Sequence, residues 1–430
     1  MAGYVARHST PLTADADLDP LLDLVGDAAC VMIGEATHGT REFYQWRARL
    51  SRRLIVERGF RFIGVEGDWP DCYRLSRYVQ GLPQSGVSAH HVLHAFDRWP
   101  TWMWANQEVV DFAEWLRGHN LMQPADKAVG IYGLDVYSLW DSMRAVADYL
   151  EAVDPAAVDQ AKRAFRCFEP YGGDAQAYAR TVMMVPQGCT KEVVDLLVHL
   201  NGHAREYTAL GNEAYFNAGQ NALIARNAEH YYRTMVQGGA ASWNVRDGHM
   251  MATLERLRVH HGPKSKAIVW AHNTHVGDAR ATDMAAAGMV SIGQLARERY
   301  GADEVVLIGF LTHRGQVIAS HSWETPWYQL PVPMAAAGSW EQIFHLARPE
   351  DQVLVLSPDV AIPPMRTVRG HRAIGVVYQP RYERFDNYVP TDLAARYDAV
   401  IHVDHSHALS PLHVPERLQL EPPDTFPWAV

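Results

Sequence analysis

The sequence lacks nearly everything that would take the chain into a membrane or onto a nucleic acid. Among its 430 residues no run approaches the roughly 18 consecutive apolar residues of a membrane span. Basic residues do not dominate. Lys and Arg number 39 against 49 Asp and Glu, and the net charge of -10 speaks against a nucleic-acid surface. Cysteine is scarce: Cys30, Cys72, Cys167 and Cys189 are scattered with no C-x-x-C spacing, which excludes a zinc ribbon. Met1 to Pro20 is polar, without the apolar centre of a secretory leader. With the scattered cysteines this predicts a cytoplasmic protein in a reducing interior. No repeat and no low-complexity tract occurs. H-E-x-x-H and the G-x-S-x-G nucleophile elbow are both missing.

What is present is a globular composition, 48% hydrophobic and 20% charged, with ample material for a core. Short apolar runs alternate with helical periodicity. Cys30 to Ile33 reads as a strand, followed by a helix from Arg41 to about Glu57 with Thr40 at its N-cap. Arg61 to Asp68 and Ala128 to Asp135 are further strands. Ser138 to Gly262 then turns almost wholly helical and reads as an insertion. The sheet resumes at Ala267 to His275, with further strands at Glu304 to Phe310, Val353 to Leu356, Ala373 to Tyr378 and Asp398 to Val403. This predicts one α/β domain over residues 1–430. A mixed, largely parallel central sheet is flanked by helices, and the insertion 138–262 covers its active-site edge.

Four of these strands end in residues able to do chemistry: Glu35 with His38, Glu66 with Asp68, Asp135, and His272 with His275. If the strands are parallel neighbours, their carboxyl ends share one edge of the sheet and the groups converge. Each charged group at a single strand end could be a satisfied cap. Four together would each need a separate buried partner. A histidine can take a proton from water near neutral pH, and a carboxylate beside it fixes its tautomer. With no serine elbow and no cysteine at a glycine turn, direct attack by water is favoured over an acyl-enzyme. The same set, Glu35, His38, Glu66, His272 and His275, also has the chemistry to hold a divalent metal. Its spacing is not specific for one.

Gly34-Glu35-Ala36-Thr37-His38-Gly39-Thr40, Gly64-Val65-Glu66-Gly67-Asp68-Trp69-Pro70 and Trp270-Ala271-His272-Asn273-Thr274-His275 together resemble the erythromycin esterase family. Pro100-Thr101-Trp102-Met103-Trp104, Asn244 to Met250 and Ile292-Gly293-Gln294-Leu295 follow in the family's order. The resemblance implies hydrolysis of an ester, in some members a macrolactone, with His38 as general base and no cofactor; a related branch of the superfamily implies the alternative, a metal- or haem-binding protein that uses the same Glu/His cluster without hydrolysis. It implies Glu35, Glu66, Arg47, His272 and His275 as further catalytic residues. Asp68, Asp135, Trp102 and Arg246 are expected to contact substrate. Arg47 would serve a developing oxyanion or a substrate carboxylate, the other reading being a salt bridge to Glu66. The partner implied is a small-molecule ester, and no motif fixes an oligomeric state.

Overall fold

The structure is a computed structural model, and it describes residues 1–171, 178, 180–181, 188–235, 239–356 and 363–414. Its strands are β1 (Thr10–Pro11), β2 (Cys30–Ile33), β3 (Phe62–Val65), β4 (Gly130–Gly133), β5 (Ala267–Trp270), β6 (Val305–Ser320), β7 (Trp327–Val332), β8 (Gln352–Val355), β9 (Arg369–Arg372), β10 (Tyr388–Thr391) and β11 (Ala399–Ser406). The order across the nine-stranded sheet is β1-β8-β11-β6-β2-β5-β3-β4, with β7 as a hairpin partner of β6. From β11 to β4 every pairing is parallel, whereas β8 and β7 join antiparallel. The α/β architecture with a largely parallel sheet is therefore as read from the sequence.

The central strands are buried along their whole length because helices cover both faces. Side chains alternate between the faces, as a pleated strand requires. Val31, Ile33, Ile63, Val65, Ile268 and Trp270 point to one side, where Leu50, Leu54, Leu75, Phe112 and Leu116 meet them. Cys30, Met32, Phe62, Ala267 and Val269 point to the other, onto Met250, Leu254 and Leu257. A third core belongs to the helical insertion: Leu139, Met143, Val146, Leu150, Leu196, Leu200, Ala225 and Ala228 pack on one another. The last helix of the insertion, Ala240–His260, instead contributes to the core beneath the sheet. Residues 172–177, 179, 182–187 and 236–238 of the insertion lie outside the described residues.

Three expectations are corrected. Ala373 to Tyr378 is not a strand but makes single bridges, Thr37 with Ile374 and Ser320 with Val377. Ile374 and Tyr378 bury themselves against Val317, Ala319, Leu330 and Val332 of the β6–β7 hairpin, which accounts for the apolar run. β6 continues ten residues past Phe310 to Ser320, because β11 pairs with it as far as Gly315 and β7 pairs with it from Gly315 to Ser320. Finally, Cys167 and Cys189 form a disulfide, which runs against the reading of a reducing interior. The helix Val158–Phe168 and the start of Thr190–Gly202 bring the two together across 22 residues of sequence. Cys30 and Cys72 are free and buried. No helix among the described residues is long and apolar enough to cross a membrane.

Candidate active site

β3, β5, β2 and β6 lie side by side in parallel, so the residues just past their carboxyl ends meet at one edge. β2 leaves the sheet at Gly34, and the chain turns through Glu35 to Thr40 before the helix Arg41–Arg58 begins. The turn passes so close to the hairpin that a Cβ on Gly39 would stand 1.9 Å from the Ile318 carbonyl oxygen. Only glycine fits there. Within this turn His38 Nδ1 lies 2.8 Å from Glu35 Oε1. A carboxylate only accepts, so His38 donates its Nδ1 hydrogen, and the neutral ring keeps Nε2 as its free base. Glu35 is fully buried, and its second oxygen, Oε2, lies 2.8 Å from Arg47 Nη2.

A second cluster faces the first. Arg246, on the helix Ala240–His260, donates from Nη2 to Glu66 Oε1 at 2.7 Å and to Asp135 Oδ2 at 2.7 Å. Its Nε donates to Asp135 Oδ1 at 3.0 Å, and Nη1 donates to His275 Nε2 at 3.0 Å. His275 Nδ1 donates to the fully buried Asp247 at 2.9 Å, and its ring stacks on Trp243 with centroids 4.5 Å apart. Burial works against the charge on Glu66. His275, Arg246, His38 and the His272 backbone N–H (2.7 Å) outweigh it and hold the carboxyl well below the usual carboxylate range. Burial likewise opposes the Asp135 carboxylate, and Arg246 reverses the balance and lowers its pKa. For His275 burial is again the largest influence, but Asp247 and Glu66 override it and raise its proton affinity.

His272 lies between the clusters. Its ring centroid is 4.8 Å from that of His38, and its Nδ1 accepts from the Thr274 N–H at 3.3 Å. Burial and the neighbouring His38 push its pKa well below the ordinary value, so it stays neutral.

These groups line a cleft of about 700 Å³. His38, Glu66, Asp68, Asp135, Arg246, His272 and His275 all reach it, so seven of the ten residues expected from sequence share one cavity. The walls add aromatic surface from Phe96, Trp99, Trp104, Tyr137, Tyr231, Trp243 and Trp323. Asp68 pairs with Arg98 at the rim. Asp71 also lines the cleft, and burial pushes its carboxyl up to about 6.

Glu35 stands one layer back, behind His38. Two expected residues are elsewhere. Arg47 does not reach the cleft and does not pair with Glu66. It is fully buried, pairs with Glu35, and lies under the rings of Tyr44 and Trp270 at 4.2 and 5.1 Å. Trp102 is 1% exposed within the core, and its neighbours Trp99, Pro100, Thr101, Met103 and Trp104 supply the wall instead. Sequence reasoning missed Asp247 as the buried partner of His275, although it stands beside Arg246, because His275 is distant along the chain.

Among the described residues no group of three or more His, Cys, Asp or Glu side chains could hold a metal ion. The donors of the metal-ligating alternative are already engaged. Glu35 is committed to His38 and Arg47, and Glu66 to Arg246 and the His272 N–H. The Arg246 guanidinium also occupies the position between the acids that a cation would need.

Residues 55–406 match the family described as Erythromycin esterase. The matched span begins after the Glu35–His38 turn. Erythromycin esterase type II of Escherichia coli is 21% identical over 321 residues, covering 70% of this chain and 73% of that protein. A protein of Bacillus cereus has the same fold, with a TM-score of 0.80 at 20% identity over 96% of this chain and 98% of the other. A succinoglycan biosynthesis protein aligns with a TM-score of 0.79 at 19% identity, covering 95% of this chain and 97% of that one. An erythromycin esterase mutant in its open conformation aligns with a TM-score of 0.72 at 17% identity, covering 95% and 99%.

Proposed function

The chain belongs to the erythromycin esterase family, and from that premise we propose that it hydrolyses an ester, such as a macrolactone, by water that His38 activates. The observation that carries this reading is the 2.8 Å pairing of His38 Nδ1 with Glu35, which commits one ring nitrogen and leaves Nε2 as a base at the cleft. His38 Nε2 takes a proton from a water molecule, and the oxygen attacks the ester carbonyl. Glu35 steadies the imidazolium that forms, and Arg47 beneath keeps Glu35 in place. Negative charge moves to the carbonyl oxygen, and Arg246, a cation anchored in the cleft wall by Glu66 and Asp135, is assigned to stabilise it. As the tetrahedral intermediate collapses, the C–O bond of the alcohol breaks. His38 returns its proton to the leaving oxygen, giving an alcohol and a carboxylic acid, which then loses its proton to solvent as the carboxylate. A volume of about 700 Å³ lies within the roughly 300–1,000 Å³ typical of sites for drug-sized ligands, and the aromatic walls suit an apolar one. An ester, lactone and macrolide panel assayed with purified protein tests the reading. Turnover of none of them would overturn it.

The rate should depend on acid. A base must be neutral to accept a proton, so kcat/KM is expected to fall in acid. Glu66, held well below the usual range, and His272, pushed well below its own, keep one charge state across about pH 5 to 8, whereas Asp71 at the cleft, pushed up to about 6, titrates within it, so the profile is read beside that of Asp71→Asn. A profile flat over that interval would exclude histidine as the base.

Activity is also expected to survive exhaustive chelation and to gain nothing from added zinc, manganese or cobalt. Arg246 already stabilises negative charge where a Lewis acid would sit. Near-stoichiometric metal by elemental analysis, with activity lost on chelation and restored by one ion, would recast the acids and histidines as ligands.

A further inference from the structure

We propose that Asn273 fixes where the Glu35–His38 turn stands, a positioning role that rests on the hydrolytic reading above. β2 lies between β5 and β6, and its ladder to β6 ends with the Gly34 N–H donating to the Ile308 carbonyl at 2.8 Å. β6 runs on, so the N–H and C=O of Phe310 face the gap that β2 has vacated. Phe310 is fully buried, and both groups need partners. Asn273, three residues past β5 at the start of the short helix Asn273–Val276, reaches across that gap. Phe310 N–H donates to its Oδ1 at 3.2 Å, and its Nδ2 donates to the Phe310 carbonyl at 2.7 Å. A side-chain amide thus takes the place of the missing strand residue.

The same residue holds the turn directly. Its backbone N–H donates to the Glu35 carbonyl at 2.8 Å. The crossing is possible because position 34 has no side chain: a Cβ on Gly34 would stand 2.2 Å from Asn273 Oδ1. The remaining Nδ2 hydrogen faces His371 Nε2 at 3.3 Å, and His371 Nδ1 in turn donates to the buried Glu341 at 2.7 Å. Arg396 Nη2 donates to the Asn273 carbonyl at 3.1 Å. Asn273 itself is fully buried and touches neither cleft nor solvent.

Only asparagine meets these demands at this length. Aspartate has no hydrogen for the Phe310 carbonyl or for His371, glutamine is a methylene too long, and serine cannot bond both groups of Phe310. Asn273 directly follows His272, whose ring is 4.8 Å from His38. One residue therefore sets the end of β2, the height of Glu35 and the spacing of the two imidazoles.

The test uses Asn273→Ala and Asn273→Asp in the full chain. The aspartate variant keeps the volume and the acceptor for Phe310 N–H but sets a carboxyl oxygen against the Phe310 carbonyl, whereas alanine leaves a small void, so the thermal melt identifies which variant is folded under assay conditions. Steady-state kinetics are measured beside a thermal melt and the NMR resonance of the His38 Nδ1 proton. The expected result is a kcat about 10²-fold lower with KM within about threefold of wild type, because misplacement of a catalytic group by about 1 Å has that cost. The His38 proton resonance should shift or broaden in the folded variant. Loss of activity only in proportion to the unfolded fraction, with the resonance unmoved, would overturn the proposal, as would wild-type kinetics. If the wild-type protein cleaves no ester, the hydrolytic reading fails. The resonance alone then decides, and an unmoved signal in Asn273→Asp overturns the positioning role.

Discussion

His38→Ala is expected to lower kcat/KM by about 10²- to 10⁴-fold, the usual contribution of a positioned general base. The protein should remain folded. The His38 ring is at the cleft rather than in the core, and its one strong partner is Glu35, which retains Arg47. The loss should appear in kcat more than in KM, since the proton transfer occurs on the way to the transition state. Kinetics beside a thermal melt separate the two roles. A variant that melts early and loses activity only in step with its folded fraction would make His38 structural. Glu35→Gln is the companion: its amide can still accept from Nδ1 but cannot neutralise an imidazolium, so its loss should be smaller than that of His38→Ala.

Arg246→Ala should abolish activity and destabilise the fold. Arg246 bonds Glu66 and Asp135 at once, and both acids are at least 96% buried. Removing one member of a buried pair leaves an uncompensated charge, at a cost of about 3–5 kcal/mol. The sign of the pH dependence follows from the shifts. Both carboxyls have folded pKa values below their unfolded ones, so the stability they contribute is present above about pH 4 to 5 and is lost as pH falls through the folded values. Without Arg246 their pKa values should rise. The gap between wild type and variant should therefore be largest near neutrality and narrow in acid, where the orphaned acids take up protons. Urea unfolding at pH 7 and at pH 4.5 measures it. A gap that is the same at both would mean that the arginine acts through packing and not through charge.

The candidate site edge was legible because its logic is local. Gly34 ends an apolar run, Glu35 and His38 follow within four residues, and three more parallel strands repeat the pattern at Glu66, Asp135 and His272. Parallel neighbours then had to bring them together. What was hidden depended on which side of an element faced inward. Arg47 was expected to reach the cleft by length alone. Yet Phe43, Tyr44, Arg47, Leu50, Ser51 and Leu54 form one buried stripe at helical spacing, and that periodicity places Arg47 under the sheet edge. Trp102 stands among cleft residues in sequence, but its short 3₁₀ turn, Thr101–Met103, directs the ring into the core. Ala373 to Tyr378 has the composition of a strand, and tertiary packing against a hairpin overrides that preference. The Cys167–Cys189 disulfide joins two helices whose approach no spacing rule reveals.

The central claim, direct attack by water from His38, is tested most directly by a single turnover of a macrolactone in oxygen-18 water, quenched in acid at successive times. Product and protein are then weighed by mass spectrometry. The account predicts one heavy oxygen in each product carboxylate and a protein of unchanged mass at every time point. A transient gain in protein mass equal to the whole lactone would reveal an acyl-enzyme. Such a gain would contradict the account.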